Sequence, residues 1–188
     1  MPTQARGYRT RSALVLAAAH EVDRTGDASM SGVCRRAGVS RGALSHHFSG
    51  KQDLLRALRD EARGTLRLLL RHFVADRRPV AEALCRLAEQ LFRRLRQDVV
   101  LRSGLALLDP REVAALQAQF TCLVRRRIAR EQRTAASAPG PAQAATLVVS
   151  VFGGLEALGR RDPRWWYLAE SVGLWQQLGR ALAEPEAV

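Results

Sequence analysis

Apolar residues recur at three- and four-residue spacing along almost the whole chain, and glycine or proline falls between the segments so marked. No stretch alternates in the manner of a half-buried strand, so the pattern predicts an all-α protein. Leu14, Ala18 and Val22 line one face of a first helix that should stop near Gly26, a residue suited to the left-handed position after a helix. Ser29 can cap a short second helix carrying Met30, Val33 and Ala37, which Gly38 breaks. Ser40 then caps a third, with Leu44 inward and Phe48 following it. Ser49-Gly50-Lys51-Gln52 fits a capping box, in which serine and glutamine satisfy each other's end amides. A long fourth helix should extend from there through Leu54, Leu58, Leu66 and Leu69 towards Phe73, closed by Asp76 to Pro79.

After these mostly short helices the segments lengthen. Leu84, Leu87, Leu91 and Leu95 predict a fifth helix, and a shorter piece from Val99 to Leu108 follows. Asp109-Pro110-Arg111-Glu112 is a strong start signal, with Asp as cap, Pro at the first helical position and Glu at the third. That helix should reach Arg133, and Thr134 to Gln143 reads as a loop. Two last helices are expected, Pro141 to Gly159 and, capped by Asp162, Pro163 to Ala183. The layout predicts a three-helix domain over residues 1–52 and a helical second domain over 53–188.

Two short helices joined at Gly38 make a helix-turn-helix unit. Ala37, Val39 and Leu44 would hold the pair together and leave Arg41, Gly42, Ser45 and His46 pointing away. Small residues at Gly42 and Ala43 let the second helix approach base edges closely, and the Arg41 guanidinium matches guanine O6 and N7. Lys51 would stand at the start of the fourth helix, where end amides and an ammonium together suit phosphate. An ordinary helical hairpin with solvated charges has the same spacing.

Charge favours the nucleic-acid reading. With 30 basic and 18 acidic side chains the formal net charge is +12, which suits a polyanion, nucleic acid before an anionic membrane. Residues 1–60 hold 10 basic and 5 acidic residues and the remainder 20 and 13, so the excess extends beyond the motif. Arg6, Arg9 and Arg11 form an acid-free arm that could lie along phosphate or enter a minor groove. Arg93, Arg94 and Arg96, and Arg125 to Arg127, read as solvated faces. Aromatics make up 5% of the chain, too few for a single-strand stacking platform.

Other chemistry is weakly represented. His46 and His47 are consecutive on a helix, so their side chains diverge by about 100° and no metal site is expected. Cys34, Cys85 and Cys122 read as buried reduced thiols. No nucleophile–base spacing, paired carboxylates or nucleotide loop appears, so neither enzyme activity nor a cofactor is expected. No signal segment and no apolar run of the ~20 residues that span a bilayer is evident, which predicts a cytoplasmic protein without a membrane partner.

The segments "RTRSALVLAAAHEV" and "ASMSGVCRRAGVSRGALSHHFSGKQDLL", within residues 9–60, resemble the DNA-binding domain of TetR-family transcriptional repressors. "RTRSALVLAAAHEVD", "SRGALSHHFSGK" and "VLRSGLALLDP" are most similar to the γ-butyrolactone receptors of antibiotic-producing actinomycetes. The resemblance implies that Ser29 and Ser40 cap helices and bond phosphates, that Arg41, Gly42 and Ala43 face the bases, and that His47 and Lys51 contact backbone. Arg11, Ser45 and His46 complete the candidate DNA-binding set. Ser45 stands where the family usually has a tyrosine, and the connection from Gly26 to Met30 is shorter than usual and lacks an aromatic.

The resemblance also implies a homodimer joined by a four-helix bundle of the last two helices, and hence a palindromic operator in double-stranded DNA. Leu147, Val148, Val151, Phe152, Leu155, Trp166, Leu168, Val172, Trp175 and Leu178 supply the apolar surface, and Gly153 and Gly154 would allow close approach. If the helices pack as in the family, Leu87, Leu91, Phe92, Leu105, Phe120, Leu123, Val151 and Trp165 face inward as candidate effector-binding residues. The effector expected is small and apolar, a γ-butyrolactone or furan. The alternative is a DNA-binding repressor or architectural protein with no small-molecule effector, which a pocketless second domain would favour.

Overall fold

A computed structural model describes residues 2–131, 140–169 and 172–183, and every regular element in them is helical. The helices are α1 (Pro2–Thr25), α2 (Met30–Ala37), α3 (Arg41–His47), α4 (Lys51–Ala75), α5 (Val80–Gln97), α6 (Val99–Ala106), α7 (Pro110–Glu131), α8 (Pro141–Arg161), α9 (Arg164–Ala169) and α10 (Val172–Ala183). The loop expected over residues 134–143 lies mostly outside the described residues. The last helix, expected as one piece, is described as α9 and α10. The Asp162 carboxylate accepts from the Arg164 amide at 3.0 Å, the Asp162 carbonyl accepts from the Trp165 amide at 3.1 Å, and the Pro163 carbonyl from Trp166 at 3.0 Å.

The chain divides into two compact units: Met1–Leu66 with Gln97–Leu108, and Arg67–Arg96 with Asp109–Val188. A boundary at residue 52 therefore differs from this division in two places. The first half of α4 and the whole of α6 belong with the N-terminal helices.

In the first unit Leu14, Val15, Ala18 and Val22 of α1 meet Val33 of α2, Leu44 and Phe48 of α3, and Leu54 and Leu58 of α4 in one apolar core. Val99, Val100 and Leu107 pack against the same core. Three further contacts bring α6 in. The Ser103 hydroxyl donates to the Ala19 carbonyl at 2.8 Å, and Arg102 grips Asp23 through Nε and Nη2 at 2.7 and 2.8 Å. Gly104 permits the closest approach, for a Cβ there would lie 2.4 Å from Ala62 Cβ and 2.8 Å from the Leu58 carbonyl oxygen.

The second unit buries Leu69, Phe73, Leu84, Leu87, Phe92, Leu95, Val124, Ile128, Val148, Phe152, Trp166 and Trp175. Phe152 stands at the centre of an aromatic cluster, with ring centroids 4.4 Å from Trp175, 5.1 Å from Phe120 and 5.8 Å from Phe92. Asp109 and Glu112 form the reciprocal cap expected of them, at 2.8 and 2.9 Å. α8 is long and apolar enough to cross a membrane by length and composition, contrary to the expectation that no segment approaches this. One side of it faces the core, where Ala144, Ala145, Val148 and Phe152 are buried, while Leu147 and Leu158 are exposed.

Several surface expectations change. Arg127 is no solvated side chain. Its guanidinium donates to the Phe73 carbonyl at the end of α4 and, at 2.6 Å, to that of Arg78, while lying 5.0 Å from the Phe73 ring centroid. Carbonyls in a helix's last turn lack intrahelical partners, and Arg127 supplies one. Arg96 lies 3.9 Å over the Tyr167 ring. Within the chain, close helix approach occurs at Gly159, where a Cβ would sit 1.9 Å from Trp166 Nε1; a Cβ at Gly153 would lie 3.7 Å from Gln117 Nε2, and one at Gly154 would meet no atom of the described residues within 4 Å. The three free cysteines are half-buried rather than buried.

Candidate nucleic-acid interface

The interface is built on two serine caps and a glycine turn. Ser29 Oγ accepts from the Gly32 amide at 3.1 Å and Ser40 Oγ from the Ala43 amide at 3.1 Å, each satisfying a donor that the helix start leaves free. Both hydroxyls keep their own hydrogen for another acceptor. Between the helices Gly38 adopts φ +66°, a left-handed conformation that costs an L side chain about 1–2 kcal/mol. The Val39 amide then donates back to the Cys34 carbonyl at 3.1 Å, closing α2.

This fixes the orientation of α3. Leu44 and Phe48 are each 2% exposed and anchor one side in the core. Arg41, Gly42, Ser45 and His46 are exposed on the other; Ala43 and His47 are half-buried between them. Positions 41, 42, 45 and 46 are one turn apart in pairs and make a single stripe. Its first turn carries the guanidinium fork, and Gly42 leaves no bulk beside it.

α1 starts at Pro2, so the expected N-terminal arm is helical. Arg6's side chain lies outside the described residues. Arg9 is exposed, and Arg11 lies 4.5 Å over the Phe48 ring, where it braces the residue after α3. The capping box at the start of α4 is shifted by one residue. The Gly50 carbonyl accepts the first helical bond, from Leu54, so Asp53 takes the third helical position. Its carboxylate accepts from both the amide and the hydroxyl of Ser49 at 3.1 and 3.3 Å, leaving Gln52 exposed.

Two groups that sequence reasoning passed over hold this arrangement. Glu21, only 4% exposed, accepts from Arg36 of α2 and Arg24 of α1, both at 3.3 Å. Burial alone would raise its pKa, but these two guanidinium bonds outweigh it and hold the carboxyl below its ordinary value. Gly32 makes room for it, as a Cβ there would lie 2.5 Å from Glu21 Oε2. An acid one turn from Ala17 and Ala18 on an apolar face was the available signal. The second group is Asp27. Its Oδ1 accepts from the Ala28 amide at 2.8 Å, and its Oδ2 receives a bond from Lys51 Nζ. Hydrogen bonding from Lys51, then from the amide, lowers its pKa.

The expected effector residues are unequally buried. Leu87 and Phe92 are buried, and Leu91, Phe120, Leu123 and Val151 are half-buried. Leu105 belongs to the first unit. Trp165 faces outward at 39% exposure, and Trp166 and Trp175, each 2% exposed, are the inward tryptophans. Leu87 lines an open cleft of about 270 Å³ with His72, Arg86 and Gln90, and Leu123 lines another of about 330 Å³ with Arg126 and Arg130.

Residues 12–58 match the family model of bacterial regulatory proteins, tetR family. No curated protein matches the chain by sequence. Among solved structures, the chain is similar to the TetR family protein CprB from Streptomyces coelicolor A3(2), at 28% identity and TM-score 0.66 over 93% of this chain and 98% of that one. CprB in complex with its biological operator sequence gives 27% identity and TM-score 0.66, covering 95% and 96%. A γ-butyrolactone receptor described as an ArpA-like protein gives 25% and 0.65, covering 92% and 98%. Residues 12–58 thus form a helix-turn-helix domain of the tetR family, and the chain is similar to DNA-binding regulators of that family along nearly its whole length.

Proposed function

We propose that the chain represses transcription as a homodimer on a palindromic operator in cytoplasmic, nucleoid DNA and leaves it on binding a small apolar effector of the γ-butyrolactone or furan type. The observation that carries the DNA half is the exposed stripe of Arg41, Gly42, Ser45 and His46, backed by buried Leu44 and Phe48. Such a helix presents a guanidinium and little bulk to a major groove. Arg41, Gly42 and Ala43 face the bases. Ser29, Ser40, Ser45, His47 and Lys51 serve the phosphates, which position the protein without reading sequence. The operator-bound CprB structure and the receptor likeness support this reading.

Selection of bound fragments from random DNA tests it. Wild type should enrich a palindrome, and Arg41→Ala should relax one base per half-site at a cost of ~1–3 kcal/mol. Uniform loss at all positions would remove Arg41 from base readout. Repeating the selection with actinomycete culture extracts tests release, and an operator complex untouched by every extract would favour a repressor without an effector.

A further inference from the structure

We propose that Asp27 is an internal rival of DNA phosphate for Lys51, and so sets how strongly this basic protein holds DNA of any sequence. The inference rests on the DNA-binding reading above.

Lys51 is the only lysine in the chain and stands in the first turn of α4. Its ammonium is bonded to Asp27 Oδ2, across the connection between α1 and α2. The pair lies in the open, with the lysine side chain 41% and the aspartate 63% exposed. A phosphate can therefore reach the ammonium, but it meets a carboxylate already there. Asp27 is fixed in that place by its other oxygen, which accepts the Ala28 amide at 2.8 Å. The short connection from Gly26 to Met30 holds the acid beside the start of α4, and Gly26 at φ +78° turns the chain into it.

The consequence is electrostatic. A cation that neutralises a phosphate releases a counterion, and each such contact contributes about 0.9 to the slope of log affinity against log salt. While Lys51 is held by Asp27, its charge is already balanced within the protein and its contact contributes less than this. A phosphate also brings a second anion towards Asp27. Both effects weaken binding alike on every sequence, because a phosphate contact carries no base information. In a chain of net charge +12, this restrains attachment to DNA at large.

Asp27→Asn removes the charge and keeps an oxygen for the Ala28 amide, so the connection survives. Binding to a mixed-sequence 30-base-pair duplex is measured by anisotropy between about 50 and 200 mM KCl, for wild type, Asp27→Asn, Lys51→Ala and the double variant, each checked by thermal melting. Asp27→Asn should bind about two- to fivefold more tightly per bound subunit, with a salt slope steeper by up to about 0.9 per subunit. Over Lys51→Ala the double variant should gain less than Asp27→Asn gains over wild type, because only the repulsion between Asp27 and phosphate is then relieved. If Lys51→Ala weakens binding while Asp27→Asn leaves affinity and slope unchanged or lower, Asp27 orients the lysine and the proposal is wrong. If Lys51→Ala binds as wild type does, the phosphate reading of Lys51 fails, and the rivalry with it. A Asp27→Asn protein that melts early would be replaced by Asp27→Ser, whose hydroxyl can still accept the amide, and held to the same slope.

Discussion

Asp23 and Arg102 are 79 residues apart in sequence and meet through two parallel bonds. The Arg102 hydrogen bond holds the Asp23 carboxyl below its ordinary pKa, and the same bond raises the arginine further. A carboxyl depressed in the folded state adds stability above its unfolded pKa and loses it as pH falls through the folded value. Wild type should therefore melt at lower temperature as pH drops below about 4. Asp23→Asn should be less stable at neutral pH by about 1 kcal/mol or less, since the pair is partly open to solvent, and its melting should depend less on acid. Parallel pH curves for the two proteins would show that the pair does not couple α1 to α6.

At the scale of the element, α6 is the segment whose identity and placement come apart. Its helical character follows from Val99, Val100, Leu101 and Leu105, and Asp98 caps it by accepting from the Leu101 amide at 3.0 Å. Nothing in that pattern says that it joins the N-terminal unit. Gly104 decides it, because only a residue without Cβ lets α6 lie against the α4 backbone at Leu58. Gly104→Ala should cost about 1–3 kcal/mol by overpacking, although alanine is the better helix former. A calorimetric loss of that size is the expected result, and a gain would mean that α6 can shift outward freely. Gly38 poses the simpler case, a φ that an L residue adopts only with strain, and it was readable from the sequence because the helix break named it.

At the scale of the molecule, most of the exposed apolar residues of the second unit lie on its last three helices, while Leu68 and Val74 lie on α4. Leu147 and Leu158 lie three turns apart on one side of α8, and Tyr167, Leu168 and Leu174 lie on α9 and α10, all between 37% and 63% exposed. The dimer reading uses this surface. Leu168→Asp should leave the helical content intact and shift sedimentation from dimer to monomer, weakening operator binding because half the contacts to a palindrome are lost. A variant that still sediments as a dimer would place the subunit contact elsewhere.

Local rules carried much of the way. Periodicity, serine caps and glycine breaks determine the helices of the first 60 residues, since each signal acts within one turn, and they determine which side of α3 faces out. The Ser49 box slipped by one residue because Asp53 competes with Gln52 for the same amide, a choice local pattern leaves open. Tertiary structure alone decided the rest: that Arg127 and Arg96 cap and stack instead of facing solvent, that Trp166 and not its neighbour Trp165 turns inward, and that Lys51 is already engaged by Asp27. In each case the outcome depends on what another segment places within about 4 Å, and sequence spacing does not encode that distance.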